Sequence, residues 1–229
     1  MTLIAPHFIK SNKKAILNFF KQDHFFTKTP WWLKKIYPNC LWDIYPKEKI
    51  LYLSFDDGPH PTITPFVLEL LKQYNAKASF FCIGENVNKY PQIFNQVITG
   101  GHAIGNHTQN HVNGWETTDE AYLQNILEAQ KTIDSKLFRP PYGRMKWSQI
   151  RLLNKKIKGI KIVMWNILAG DWIEELTPEK CFENIKSKIT DGDIIVLHDS
   201  EKAFPRMSYV LPKLLKYFTE KGYCFKVIH

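Results

Sequence analysis

At 229 residues, with 44% hydrophobic and 14% aromatic content, the chain can bury a core and is not an intrinsically disordered protein. Its net charge of +9 permits an anionic partner such as an acidic glycan or lipid headgroups. No nucleic-acid module signature accompanies the lysines, so no nucleic acid is expected, and no apolar run reaches the ~18–20 residues of a membrane span.

In chain order, residues 1–20 carry Lys10, Lys13 and Lys14 but no apolar h-region and no small-residue cleavage site. The expectation is a cytoplasmic chain or one given without its leader, with cell-envelope association, through peripheral contact of its basic surface, also open. Residues 1–49 form an aromatic and basic arm, with Thr29-Pro30-Trp31-Trp32-Leu33-Lys34-Lys35 and Cys40-Leu41-Trp42 broken by prolines. Two readings of that arm stand: a segment packed on the main domain, covering its sheet edges, or an interfacial anchor. No obligate protein partner is implied.

From residue 50 the chain alternates strand and helix. Strands are expected at 50–55, 78–83, 102–106, 137–139, 160–165, 193–198 and 223–228, with helices at 62–74, 91–99, 119–135, 147–158, 178–188 and 209–221. Strict alternation predicts a parallel sheet wound with helices, either doubly wound or closed into a barrel. Polar landmarks decide between them. Asp56-Asp57, His107, Arg139, Asp171-Trp172 and His198-Asp199 all fall at or just past strand C-termini, and a rim fed by five strands favours a barrel. The stretch 50–229 is short of the ~250 residues of eight β/α units, so a distorted seven-stranded (β/α) barrel with an N-terminal extension is expected. Cys40, Cys82, Cys181 and Cys224 show no CxxC or zinc-ribbon spacing; no disulfide is expected, and Cys82 and Cys224 read as buried thiols.

The strand at 50–55 ends in Ser54-Phe55-Asp56-Asp57-Gly58-Pro59. Gly-Pro terminates any strand, but two adjacent buried carboxylates are costly unless a cation or a proton compensates them. His107-Thr108-Gln109-Asn110-His111 places two imidazoles four residues apart, which on a helical turn would share a face. Together with one carboxylate of the Asp pair they make a His2Asp set with room for water, the pattern of catalytic zinc. Asn106 or Thr108 would cap that turn or orient a ligand.

Ser-Phe-Asp-Asp-Gly-Pro, His-Thr-x-x-His, Arg-Pro-Pro-Tyr-Gly, a Trp-(x)5-Asp-Trp segment and Leu-His-Asp occur in this order over residues 50–229. This series resembles the polysaccharide deacetylase family, the NodB-homology domain of carbohydrate esterase family 4. The resemblance implies Asp56 as general base, with Asp57, His107 and His111 binding a divalent metal, Zn2+ before Co2+ or Ni2+. It implies that Arg139 pairs with Asp56 and keeps it charged and oriented, and that the Tyr142 N–H, following Pro141, helps form an oxyanion hole. His198 becomes the general acid, Asp171 its partner, Leu197 a lining of the acetyl pocket, and Trp172 a wall. The implied activity is removal of acetyl groups from N-acetylglucosamine-type residues of an acetylated glycan. A small-molecule amidohydrolase and a non-catalytic glycan-binding homologue are the alternatives. One departure is visible: Leu168 stands where the fourth motif commonly has its first acid.

Overall fold

A computed structural model of the chain describes residues 25–229. The part of the N-terminal arm before residue 25 lies outside the described residues. In chain order the elements are α1 (Trp31–Ile36), β1 (Cys40–Leu41), β2 (Ile50–Asp56), α2 (Ile63–Gln73), β3 (Ala78–Cys82), α3 (Gly84–Lys89), α4 (Pro91–Thr99), β4 (Ala103–Asn106) and α5 (Asp119–Gln130). They continue with β5 (Leu137–Phe138), a 3-10 turn (Pro141–Gly143), α6 (Trp147–Lys156), β6 (Lys161–Val163), β7 (Ile167–Leu168), α7 (Pro178–Lys186), β8 (Ile194–His198), α8 (Phe204–Glu220) and β9 (Cys224–Phe225). No helix among the described residues is long and apolar enough to cross a membrane.

Every strand pair in the sheet is parallel, in the order β1-β6-β5-β4-β3-β2-β8-β7, with β9 pairing the start of β2. Strands β6 and β7 lie near opposite ends of this order yet are joined by residues 164–166 alone. The expected strand 160–165 is therefore broken. Its first half pairs with β5, and after the bend the Asn166 N–H donates to the Ile194 carbonyl of β8 (3.0 Å). The bend curls the sheet into a distorted (β/α) barrel. The N-terminal segment pairs on both sides of the break: β1 aligns Cys40 with Ile162, while Lys28 forms an antiparallel bridge to Ile167. Covering open edges in this way removes unpaired backbone groups.

Strand alternation sorts the side chains into layers. In β2, Leu51, Leu53 and Phe55 join the large cluster that packs against Leu211, Leu214 and Leu215 of α8, while Ile50 and Tyr52 join a second cluster with Phe81, Ile194 and Ile228. Continuing that inner face puts Ser54 and Asp56 at the C-terminal end of the barrel. A third cluster seats α5 and α6 on β5 and β6 through Tyr122, Ile126, Phe138, Leu153 and Ile162. Thr118 caps α5 by accepting the Ala121 N–H at 3.3 Å, and Thr177 caps α7 through the Lys180 N–H at 3.2 Å.

Most differences from the expected elements are at boundaries. α8 begins at Phe204, ahead of the expected start at 209, because Pro205 sits in its first turn, where the missing N–H costs nothing. α1, β1, α3 and β7 were not expected; each is six residues or fewer, too short for periodicity to register. All four cysteines are free. Cys82 is buried as expected, but Cys224 is exposed, because the two-residue β9 turns Phe225 inward and Cys224 outward.

Candidate active site

Asp56 ends β2 and aligns with His198 at the end of β8, so the barrel register itself brings the first and fifth motifs together. Arg139, following β5, is fully buried. Its Nη1 donates to Asp56 Oδ1 at 2.6 Å and Ser54 Oγ at 2.8 Å, its Nε to the Val163 carbonyl at 3.1 Å, and its Nη2 to the Met164 carbonyl at 3.0 Å. The guanidinium also lies 3.9 Å from the centroid of Phe81. Every edge of the fork is engaged, so the cation is held rigidly against one carboxylate oxygen.

Asp57 turns away from its neighbour with φ 83°, stabilised by Asn86 Nδ2 donating to its carbonyl at 2.7 Å. Gly58 follows because a Cβ there would lie 2.2 Å from the Asp199 carboxylate, which accepts the Gly58 N–H at 3.0 Å and the Thr64 hydroxyl. Burial pushes the Asp199 carboxyl up to about 7.

His107 and His111 do not share a helical turn, contrary to expectation. They sit on a loop after β4 in which Thr108 has φ 65° and His111 φ 55°. Asn106 Oδ1 accepts the Thr108 N–H at 2.8 Å, and Asn125 Oδ1 accepts the N–H groups of Gln109 and Asn110 at 2.9 and 3.1 Å. These side-chain acceptors compete with helical hydrogen bonding and shape the loop instead. The two imidazoles still converge: Asp57 Oδ1 lies 3.3 Å from His111 Nε2 and 3.8 Å from His107 Nε2, and the ligand atoms of the three residues lie within 4.8 Å of one another.

The donor chemistry fits a divalent cation. Asp57 Oδ1 is buried without a hydrogen-bond partner among the described residues. Nδ1 of His107 is engaged by the Arg139 carbonyl at 2.8 Å, the outer hydrogen bond that aims Nε2 of a ligating histidine inward. Nδ1 of His111 meets the Tyr142 hydroxyl at 3.2 Å. Burial holds His107 below the ordinary imidazole range and pushes His111 down to about 4, leaving both neutral at pH 7 with lone pairs to give. Burial alone raises Asp57, but the neighbouring His198, His107 and His111 outweigh it and hold the carboxyl below its usual value.

His198 is anchored by Asp171, whose Oδ1 is 2.8 Å from its Nδ1 and whose Oδ2 accepts its backbone N–H at 2.7 Å. Burial disfavours the imidazolium, yet Asp171, through charge and hydrogen bond, with Asp57 and Asp56 behind it, pushes His198 up to about 10. Asp171 is itself buried, and Arg206 Nε of α8 donates to its carbonyl at 2.6 Å. The Trp172 ring lies edge-on to His198, with centroids 5.1 Å apart.

The turn Pro141–Gly143 holds Tyr142 at φ 60°, and a Cβ at Gly143 would meet the Trp165 ring at 2.5 Å. Five non-glycine residues among those described have positive φ, and Asp57, Thr108, His111 and Tyr142 are four of them. Strain concentrated in this way marks a functional site.

One expected lining residue, Leu197, is displaced, and Pro141, named with the oxyanion turn, is set back from the cleft. Leu197 is fully buried and packs outward with Met207 and Val210; Val196, on the inner face with His198, lines the cleft instead. The reason is the two-residue period of β8, which turns alternate side chains to opposite faces. Likewise Pro140 lines the cleft while Pro141 is buried at the start of the turn. Ser54 and Asp199, which belong to the first and fifth motifs, support the site, and Asn86, Thr64 and Arg206 do so without any distinguishing mark in the sequence. The supporting Phe25 lies 5.3 Å from Trp172, ring centre to ring centre.

Asp56, Asp57, His107, His111 and His198, with Tyr142, Trp172 and Val196, open onto one cleft of about 1210 Å³, which runs from them to Trp32, Leu33 and Ile150.

Comparison with known proteins identifies the family. The polysaccharide deacetylase family model matches residues 43–158. A peptidoglycan-N-acetylglucosamine deacetylase of Bacillus cereus is 35% identical over 194 residues, covering 82% of this chain and 90% of its own length. A chitooligosaccharide deacetylase of Azorhizobium caulinodans is 37% identical over 163 residues, covering 68% and 76%. In structure, the Bc1960 peptidoglycan N-acetylglucosamine deacetylase, solved with a substituted N-oxidanyl-benzamide, superposes with a TM-score of 0.79 at 27% identity over 86% of this chain and 94% of its own. With its barrel, its ordered motifs and relatives matched along most of its length, this chain belongs to the polysaccharide deacetylase family.

Proposed function

We propose that the chain is a metal-dependent hydrolase that removes N-acetyl groups from N-acetylglucosamine-type residues of a glycan. The observation that carries this reading is the convergence of Asp57, His107 and His111 within 4.8 Å, beside an Asp56–Arg139 pair and an Asp171–His198 pair.

Asp57 and the Nε2 atoms of His107 and His111 would hold the ion, and this nitrogen and oxygen donor set suits Zn2+, with Co2+ or Ni2+ as alternatives. A divalent ion there supplies the Lewis acidity that acidifies a water and polarises an acyl carbonyl. Asp56 would accept a proton from the attacking water, with Arg139 keeping its carboxylate in place. The Tyr142 N–H steadies the developing oxyanion, a contribution of roughly 10²–10³ in rate per donor. His198 gives a proton to the leaving amine from Nε2, since Nδ1 is committed to Asp171. Trp172 walls the site beside it.

The deciding experiment is acetate release from N-acetylglucosamine oligomers, with and without chelator, alongside metal analysis. Chelator-sensitive release at one bound metal per chain is expected. One equivalent of metal with no acetate from any N- or O-acetylated glycan would overturn the assignment. Release from small amides but not from oligomers would favour a small-molecule amidohydrolase.

A further inference from the structure

We propose that the cleft takes an acetylated amino sugar joined to a long hydrocarbon chain, with the chain lying in the apolar groove between the N-terminal segment and α6. This inference rests on the deacetylase reading and names the substrate class of the same site.

The groove is continuous with the metal-binding triad, and its 1210 Å³ exceeds the roughly 300–1,000 Å³ of ordinary small-molecule sites. Beyond the catalytic residues its apolar walls include Trp32, Leu33, Ile36, Ile150, Met164 and Leu168, and Thr29, Tyr37, Trp42, Trp115 and Arg144 line it as well. Apart from the Trp32 indole N–H, the six apolar side chains offer no hydrogen-bond donor or acceptor of note; the Thr29 hydroxyl is committed to the Trp165 carbonyl at 2.7 Å and the Trp42 indole N–H to the Tyr37 carbonyl at 3.0 Å, whereas a second or third sugar would need several such groups. Leu168 belongs to this wall, so the departure in the fourth motif exchanges an acid for apolar surface exactly where a hydrocarbon would lie.

The mouth has matching chemistry. Trp31 is 68% exposed and Trp147 42% exposed, and α1 also carries Lys35, while its Lys34 is paired with Asp43. Lys35 Nζ lies 4.7 Å from the Trp31 ring centroid. Exposed tryptophan beside lysine suits the boundary between anionic headgroups and acyl chains, where a lipid-borne sugar would be met. Lys202, which also lines the cleft, offers a cation to an anionic linkage between sugar and chain.

The test compares methyl, octyl and dodecyl N-acetylglucosaminides below their micelle concentrations, using the full chain. Binding is read from tryptophan fluorescence and turnover from acetate release. Each methylene buried multiplies affinity by up to about four-fold, so the octyl glycoside should bind at least ten-fold tighter than the methyl, and kcat/KM should rise with it. In an Ile36→Glu variant the ratio of dodecyl to methyl affinity should collapse. Equal affinity for all three glycosides overturns the inference whether or not acetate appears. Equal affinity in a protein that sediments as a dimer would assign the groove to a second copy instead. Chain-dependent binding without acetate release would uphold the groove and refute the deacetylase reading.

Discussion

Replacing Arg139 with methionine tests the arrangement on which the site is built. Methionine retains an unbranched apolar side chain but removes all four hydrogen bonds, leaving Asp56, only 3% exposed, without its cation. The Ser54 hydroxyl and the Val163 and Met164 carbonyls lose a donor at the same time. Removing one partner of a buried, hydrogen-bonded ion pair costs about 3–5 kcal/mol, because the remaining charge is left uncompensated. For a domain of this size each kcal/mol lowers Tm by roughly 2–4 °C, so Arg139→Met should lower it by about 6–20 °C. Thermal unfolding of the metal-free protein, followed by circular dichroism, keeps ligand linkage out of the comparison. Adding Asp56→Asn to Arg139→Met removes the stranded charge and should recover about 1–3 kcal/mol relative to additivity. A loss of less than 2 °C, or strictly additive effects, would refute the claim that this pair holds the barrel rim together.

Asp56→Asn alone should retain one equivalent of metal while lowering turnover by about 10²–10⁴, and activity above a few per cent would remove Asp56 from the role of base. His107→Ala should lose both metal and turnover, as read by metal analysis after dialysis. With Asp171→Asn the main group raising His198 is gone, so its pKa falls from about 10 toward 6.5 and the alkaline limb of the rate profile should move to lower pH. An unmoved limb would show that His198 does not donate the proton. His102 supplies a pH dependence of stability away from the site. Its Nδ1 accepts the Ala78 N–H at 3.2 Å, and burial, helped by Lys77, pushes its pKa down to about 4. The folded state therefore binds fewer protons than the unfolded state between pH 6.5 and 4, and the stability present above 6.5 is lost as pH falls through that window. Discounted for partial exposure, the loss should be about 1–2 kcal/mol. Urea midpoints at pH 7 and pH 4 for the parent and for His102→Gln would reveal it, and an equal drop in both would assign it elsewhere.

Local order was readable from the residues alone. The β2 run Ile-Leu-Tyr-Leu-Ser-Phe ending in Asp-Asp-Gly-Pro, and the ordered motifs that follow, set the α/β class and named the titratable residues of the rim, because strand and turn chemistry act over a few neighbouring residues. The tertiary structure alone decided which face each residue serves. It ended the expected strand 160–165 at Val163 and began another at Ile167, so that the chain crosses between distant strands of the curled sheet, turned Leu197 outward and Val196 inward, and held His107 and His111 on a loop through Asn106 and Asn125. It also supplied Phe25, Trp32 and Leu33 to the cleft from a segment whose sequence shows no relation to the motifs. Those outcomes depend on pairings between residues separated along the chain, from Asn110 with Asn125 to Asp56 with His198 and Lys28 with Ile167, and such pairing leaves no periodicity along the chain.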